Sequence, residues 1–164
     1  ENIIRQEFVF KTASDKLNQE LLNKIQDVNS ICIHVRRGDY VNNPHTNQVH
    51  GVCSLEYYTK CIDFIANRVD NPCFFIFSDD PDWVQNNLKI LHPVVFVAHN
   101  KEKDYEDLRL MYHCKHFIIA NSSFSWWGAW LSKNSGKIVC APRKWFNKEE
   151  LNNNDIVPEN WVRF

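Results

Sequence analysis

The stretch Ile31-Cys32-Ile33-His34-Val35-Arg36-Arg37-Gly38-Asp39 decides how the rest of the chain reads. Its first five residues are short, apolar and rich in β-branched side chains, as in a strand buried on both faces. Two guanidiniums, a glycine and a carboxylate follow at once. Residues 73–77 (CFFIF), 94–98 (VVFVA), 116–120 (HFIIA) and 137–140 (KIVC) are segments of the same apolar kind. Between them lie helical patterns, with apolar residues at three- and four-residue spacing. Asp15 can cap a helix whose apolar face is Leu17, Leu21, Leu22, Ile25 and Val28. Ser54 can cap another carrying Leu55, Tyr58, Cys61, Ile62, Ile65 and Val69. Pro81 and Asp82 open a short helix to about Leu88, and Asp104 precedes one over residues 105–114, with Asp107 near its positive end. Residues 122–125 lead into a helix reaching Leu131.

Strands alternating with helices of about 10–15 residues give βαβ units with right-handed crossovers. The expected fold is a Rossmann-like, three-layer α/β/α arrangement around a mostly parallel sheet. No internal repeat is visible. Residues 42–51 read as a long polar loop, and the Asn-rich residues 147–155 as a turn or loosely ordered tail. Only four glycines occur, without G-x-G-x-x-G or G-x-x-x-x-G-K-[ST], so the usual dinucleotide and P-loop readings lose their support.

Composition sets the outer limits. The 164 residues suit one domain with a full core. With 19 Lys+Arg against 20 Asp+Glu, the net charge is −1, which excludes a generic nucleic-acid binder but not a local basic site. The longest apolar run, residues 126–131, is far short of the roughly 18 residues of a membrane span. Residue 1 is Glu, with no signal-peptide pattern, so a piece of something longer is expected. Six cysteines without a C-x-x-C pair read as buried free thiols in a reducing compartment, and no Cys/His spacing suits zinc. A cytoplasmic, bacterial location follows as an expectation, with peripheral membrane attachment left open.

The unusual polar residues fall where strands end, which is where open parallel sheets bind ligands. After the first strand come Arg36 and Arg37, whose forked donors suit phosphate oxygens, although salt bridges to Asp39 or a helix carboxylate would also account for them. After the second come Ser78, Asp79 and Asp80, and after the third His99 and Asn100. Asp79 is the better ligand candidate, while Asp80 or Asp82 suits helix capping more than a D-x-D metal site. After the fourth, Asn121-Ser122-Ser123-Phe124-Ser125 turns into a helix whose first amides can hold an anion. Asn121 begins an N-x-S sequon but follows a buried strand, so glycosylation is not expected. The Trp126–Trp130 pair reads as packing.

The ordered set His34-Val35-Arg36-Arg37-Gly38-Asp39-Tyr40, Phe77-Ser78-Asp79-Asp80 and residues 121–131 resembles the motifs of the α-1,2-fucosyltransferase family, glycosyltransferase family 11. Residues 141–146 and Pro158-Glu159-Asn160-Trp161 resemble that family's C-terminal end, so the likeness runs from about Ile31 to Phe164. It implies the C-terminal, donor-binding half of a GT-B fold. It implies inverting transfer of L-fucose from GDP-β-L-fucose to a sugar hydroxyl, often galactose O2, with no metal required. On that pattern Arg36 or Arg37 holds the β-phosphate. His34 and Asp79 contact guanine or ribose, and Ser122, Ser123 and their neighbours Asn121 and Ser125 hold the diphosphate. Residues 1–164 would then be one donor domain, and the N-terminal acceptor domain of the same enzyme would be missing. A fragment of this kind is expected to bind GDP weakly and transfer little fucose. Asp39, His45, His50 and Glu56 are all candidates for the base. Asp39 is taken as a catalytic candidate, with orientation of the arginines as its equal alternative. A GT-B domain for another nucleotide sugar and a non-catalytic nucleotide- or sugar-binding module remain the alternatives.

Overall fold

The computed structural model describes residues 2–148, 150–151 and 155–164. Six strands form one fully parallel sheet: β1 (Asn29–Val35), β2 (Pro72–Ser78), β3 (Val94–Val97), β4 (His116–Ile118), β5 (Val139–Ala141) and β6 (Val162–Arg163). Their order is β3-β2-β1-β4-β5-β6. The chain builds outward from β1 through β2 to β3, then returns to β4 on the other side. The reversal falls between β1 and β4, the switch point where a doubly wound sheet opens a crevice. Registers fix that edge, with Val35 opposite Ser78 and Phe77 opposite Val97.

Side-chain alternation splits the core in two. Cys32, Phe75, Phe77 and Phe117 pack with Ile25, Leu110, Met111 and Ala129, beneath the helices α2 (Lys16–Asp27), α7 (Asp104–His113) and α8 (Ser123–Leu131). Ile31, Ile33, Phe74 and Ile76 pack on the other face with Tyr58, Ile62, Ile65 and Val84, beneath α5 (Leu55–Ala66) and α6 (Pro81–Asn87). Each fully buried Phe contributes roughly 2–3 kcal/mol of transfer free energy. The caps read from sequence form: Asp15 accepts the Asn18 amide at 3.0 Å, Ser54 that of Tyr57 at 3.2 Å, and Asp80 that of Trp83 at 3.3 Å. Asp80 is thus a helix cap. Trp126 and Trp130 stack at 5.8 Å.

Several local expectations need correction. Residues 42–51 are not a loop: α3 (Gly38–Asn42) and α4 (Pro44–His50) occupy most of them. Asn43 caps α4 by accepting from His45 and Thr46, with Pro44 in the first turn. The fifth strand starts at Val139, two residues later than expected, and the two-residue β6 and the short α1 (Asn2–Glu7) are additions to the elements expected from sequence. All six cysteines are free, five of them buried. The Asn-rich stretch lies partly outside the described residues. Among the described residues no helix is long and apolar enough to cross a membrane.

Candidate functional site

Two hydroxyls pin the carboxyl end of β1. Tyr58 on α5 donates to the His34 carbonyl at 3.1 Å, and Ser78 donates to that of Val35 at 2.8 Å. The strand ends are therefore held at a fixed height, and the polar residues beyond them open onto one cavity of about 960 Å³. His34 and Arg36 line it from β1, Ser78 and Asp79 from β2, and Asn100 and Lys101 from the loop after β3. Ser122, Ser123 and Phe124 line it from the start of α8. Tyr40, Thr46 and His50 close it from α3 and α4.

His34 is 5% exposed, its ring lies 5.6 Å from that of Phe124, and its Nδ1 has no partner among the described residues. Burial, helped by the Arg36 charge, lowers its pKa to about 3, so the imidazole is neutral at physiological pH. A neutral ring can both donate and accept, which suits a ligand hydroxyl or base edge.

The two arginines are held differently. Arg36 reaches Asp39 at 2.6 Å and Asp79 at 3.2 Å and faces the cavity. Arg37 is not among the residues that line the cavity. Its Nε pairs with Asp80 at 3.1 Å, and its guanidinium lies 3.5 Å from the Trp83 ring centroid. Its backbone N–H donates to Asp79 at 2.8 Å. Of the two explanations open for the pair, salt bridging is realised for both, and only Arg36 also lines the cavity.

The Asn-Ser-Ser-Phe-Ser turn divides as well. Ser122 occupies the N-cap position of α8, but its hydroxyl makes no capping bond. Ser122 lines the cavity, beside the first-turn amides at the positive end of the helix. Ser123 lines the cavity alongside it. Asn121 and Ser125 do not line it. The Asn121 amide donates to the carbonyls of His50 at 2.9 Å and Trp145 at 3.1 Å, and Asn121 is 2% exposed. Ser125 is fully buried and donates to the Ser122 carbonyl at 3.2 Å. Asn121 is therefore a staple beneath the α4 end, and Ser125 an internal tie of the turn. Of the four base candidates, Asp39 and His50 line the cavity. His45 does not, and Glu56 pairs with Lys60 at 2.6 Å on α5.

Asn100 lines the cavity at the end of the third strand, as the strand-end pattern places it, and Asp107 joins the site without a signal in the motifs. Asp107 is the fourth residue of α7 and lines the cavity. Burial raises its pKa to about 6, against the Asn100 hydrogen bond and the nearby His99, which lower it. Among the described residues six carboxylates line the cavity, against Arg36 and Lys101. Asp39 and Asp79 are committed to Arg36, and Asp80 to Arg37. The lining thus combines Arg36 and the start of α8 with the carboxylates Asp82, Asp104 and Asp107.

Residues 3–164 match the model of the family described as Glycosyl transferase family 11. An alpha-1,2-colitosyltransferase of Escherichia coli is 43% identical over 149 residues, which cover 88% of this chain and 51% of that protein. The O-antigen biosynthesis glycosyltransferase WbnK of Escherichia coli is 38% identical over 160 residues, 90% of this chain and 52% of that protein. The galactoside 2-alpha-L-fucosyltransferase SEC1 of Bos taurus is 32% identical over 105 residues, 63% of this chain and 28% of that protein. The chain spans about half the length of the bacterial relatives it matches. A match running from residue 3 to the last residue, through the strand ends that build the cavity, makes this chain a member of glycosyl transferase family 11.

Proposed function

We propose that this chain is the donor-binding part of an inverting fucosyltransferase, the C-terminal half of a GT-B enzyme that uses GDP-β-L-fucose. The observation that carries the reading is the cavity at the switch point, whose lining brings Arg36 and the start of α8 together with the carboxylates Asp104 and Asp107. A nucleoside diphosphate sugar has the matching polarity. Its phosphates need cationic and N–H donors, and guanine presents a row of N–H groups that carboxylates accept. Uracil offers a single N–H.

In the reaction, the bond from fucose C1 to the β-phosphate oxygen breaks and a bond from C1 to the acceptor hydroxyl oxygen forms. The acceptor proton goes to a base, and the electron pair leaves on GDP. On this reading Arg36 and the helix amides take up that charge and stabilise the leaving group without a required metal. Asp39 and His50 are the base candidates within the cavity, and the other half of the enzyme can supply the base as well. Galactose O2 of a glycan is the proposed acceptor site, and the acceptor domain is the proposed missing partner.

A second reading keeps the same nucleotide and changes the sugar. The 43% identity to an alpha-1,2-colitosyltransferase favours it, so colitose on GDP is the alternative donor. Calorimetry with GDP, UDP, GDP-fucose and GDP-colitose, each with and without EDTA, tests both. GDP binding that survives EDTA and is lost in Arg36→Ala supports the donor site. Equal binding of UDP would overturn it, and a marked preference for GDP-colitose would select the second sugar.

A further inference from the structure

Asn18 and Asn100, 82 positions apart, join their side-chain amides as a reciprocal pair. Asn18 Nδ2 donates to Asn100 Oδ1 at 2.9 Å, and Asn100 Nδ2 donates to Asn18 Oδ1 at 3.0 Å. Each amide has one N–H left, and each gives it to a carboxylate. Asn18 donates to Asp15 at 3.1 Å, and Asn100 donates to Asp107 Oδ1 at 2.8 Å. His99 Nε2 meets Asn18 Oδ1 at 2.9 Å, so the ring carries its proton there. Asn18 is fully buried and Asn100 5% exposed. Flipping either amide would set N–H against N–H, so the pair admits one orientation.

A buried amide pair of this kind adds little net stability, because two well-packed apolar side chains would do about as well. What it fixes is direction. Asn100 and Asp107 line the cavity, and Asn18 does not. The pair is anchored on α2 through the Asp15 cap, and it delivers one N–H to one oxygen of Asp107. That contact orients the carboxyl and leaves its remaining lone pairs for a ligand.

We propose that the Asn18–Asn100 pair positions the Asp107 carboxyl for base recognition, so that Asn18, outside the cavity, sets the preference for a purine with adjacent N–H donors on its edge. This rests on the GDP reading above. Guanine offers N1–H and the 2-amino group to such a carboxyl, whereas hypoxanthine lacks the amino group.

The test compares GDP, IDP and UDP binding by calorimetry in the wild-type chain, Asn18→Leu and the isosteric Asn18→Asp. The wild type should favour GDP over IDP by about tenfold or more, the worth of one well-placed hydrogen bond. Both variants should bring that ratio to within about twofold, GDP losing much more affinity than IDP, which keeps only its N1–H for the carboxyl. A merely structural role would weaken GDP and IDP alike, and that result overturns the proposal. If the wild type does not distinguish GDP from UDP, the donor reading itself fails. If it does, and the variants keep the GDP-over-IDP ratio, only the positioning role fails. A measurement on the wild type needs no folded variant. The Asn18 side-chain amide resonance should move on GDP addition and stay in place with UDP, and no movement with GDP would overturn the role.

Discussion

Gly38 lies directly against Asp79: a Cβ on Gly38 would come within 2.6 Å of Asp79 Oδ2 and 3.1 Å of its Cγ. Only hydrogen fits, and that lets Asp79 accept the Arg37 amide at 2.8 Å while pairing with Arg36 at 3.2 Å. Gly38→Ala should swing the carboxylate aside and leave Arg36 held by Asp39 alone. GDP affinity is expected to fall about three- to tenfold, the worth of roughly one hydrogen bond's preorganisation. Melting should drop by only a few degrees, because both partners are partly exposed. Calorimetry beside a thermal melt separates the two effects, and unchanged affinity would refute the link.

The arginines should separate in the same pair of measurements. Arg36→Ala removes the cation that lines the cavity, so GDP affinity should fall more than tenfold, as for a charge-assisted bond, with little change in melting. Arg37→Ala removes the Trp83 contact and the Asp80 pair on α6, so the loss should be mainly of stability, of about 1–2 kcal/mol. The reverse pattern, with Arg37→Ala abolishing binding at unchanged melting, would mean that Arg37 swings into the cavity when the nucleotide arrives.

Much of this fold was legible because the strands are apolar runs that can only be buried. The carboxyl-edge placement of His34, Arg36, Asp79, Ser122 and Ser123 followed from where those runs stop. The parts that were not legible have physical reasons. α3 and α4 carry no apolar period and bury none of their residues, so only the Asn43-Pro44 start signal marked them. β6 has two residues and exists by pairing with β5. Arg37, Asn121 and Ser125 sit in the motifs beside residues that line the cavity, but side-chain direction, which spacing does not give, sends them elsewhere. Asp107 looked like an ordinary carboxylate in the first turns of a helix. Its role needs β3, α2 and α7 brought together.

Gly51 ends α4 with φ +66° and ψ −172°, a conformation essentially reserved for glycine. A Cβ there would also meet the Asn147 amide at 2.5 Å. Gly51→Ala should therefore cost about 1–3 kcal/mol. Because the His50 carbonyl is held by Asn121, the strain should loosen the cavity wall that carries Tyr40 and His50. Denaturant unfolding gives the first number, and faster hydrogen exchange over α4 gives the second. A variant as stable as the wild type would contradict the backbone requirement.

Acid should act through His34. Its folded pKa, about 3, lies below the ordinary 6.5 because the ring is buried. The unfolded chain takes up this proton near pH 6.5 and the native chain does not. Stability is therefore intact above pH 6.5 and is lost as pH falls towards 3. Across that whole pH range the loss amounts to a few kcal/mol, at about 1.4 kcal/mol for each pH unit between the two values. His34→Gln should flatten the acid limb of the stability curve by one proton. Denaturation measured between pH 7 and 4 checks the slope, and parallel curves for the two proteins would show that His34 is not the group responsible.

Asp107 has the opposite sign. Its folded pKa, about 6, is above the ordinary 3.8, chiefly through burial. The native state then holds its proton more tightly than the unfolded chain. The relative stability is greatest below pH 3.8 and declines as pH rises to 6, leaving a penalty at neutral pH. Asp107→Asn removes the buried charge and keeps an oxygen for the Asn100 N–H, so at pH 7.5 the variant should be more stable by about 1–3 kcal/mol. Near pH 3 the gain should vanish, because the wild-type carboxyl is then neutral in the native state and largely so in the unfolded one. The amide places N–H donors where the base presents its own, so GDP affinity should fall at least tenfold. A protein that gains stability while losing its nucleotide is what a strained binding carboxylate predicts. If Asp107→Asn were destabilising at neutral pH with GDP affinity intact, the carboxylate would belong to the fold and not to the site.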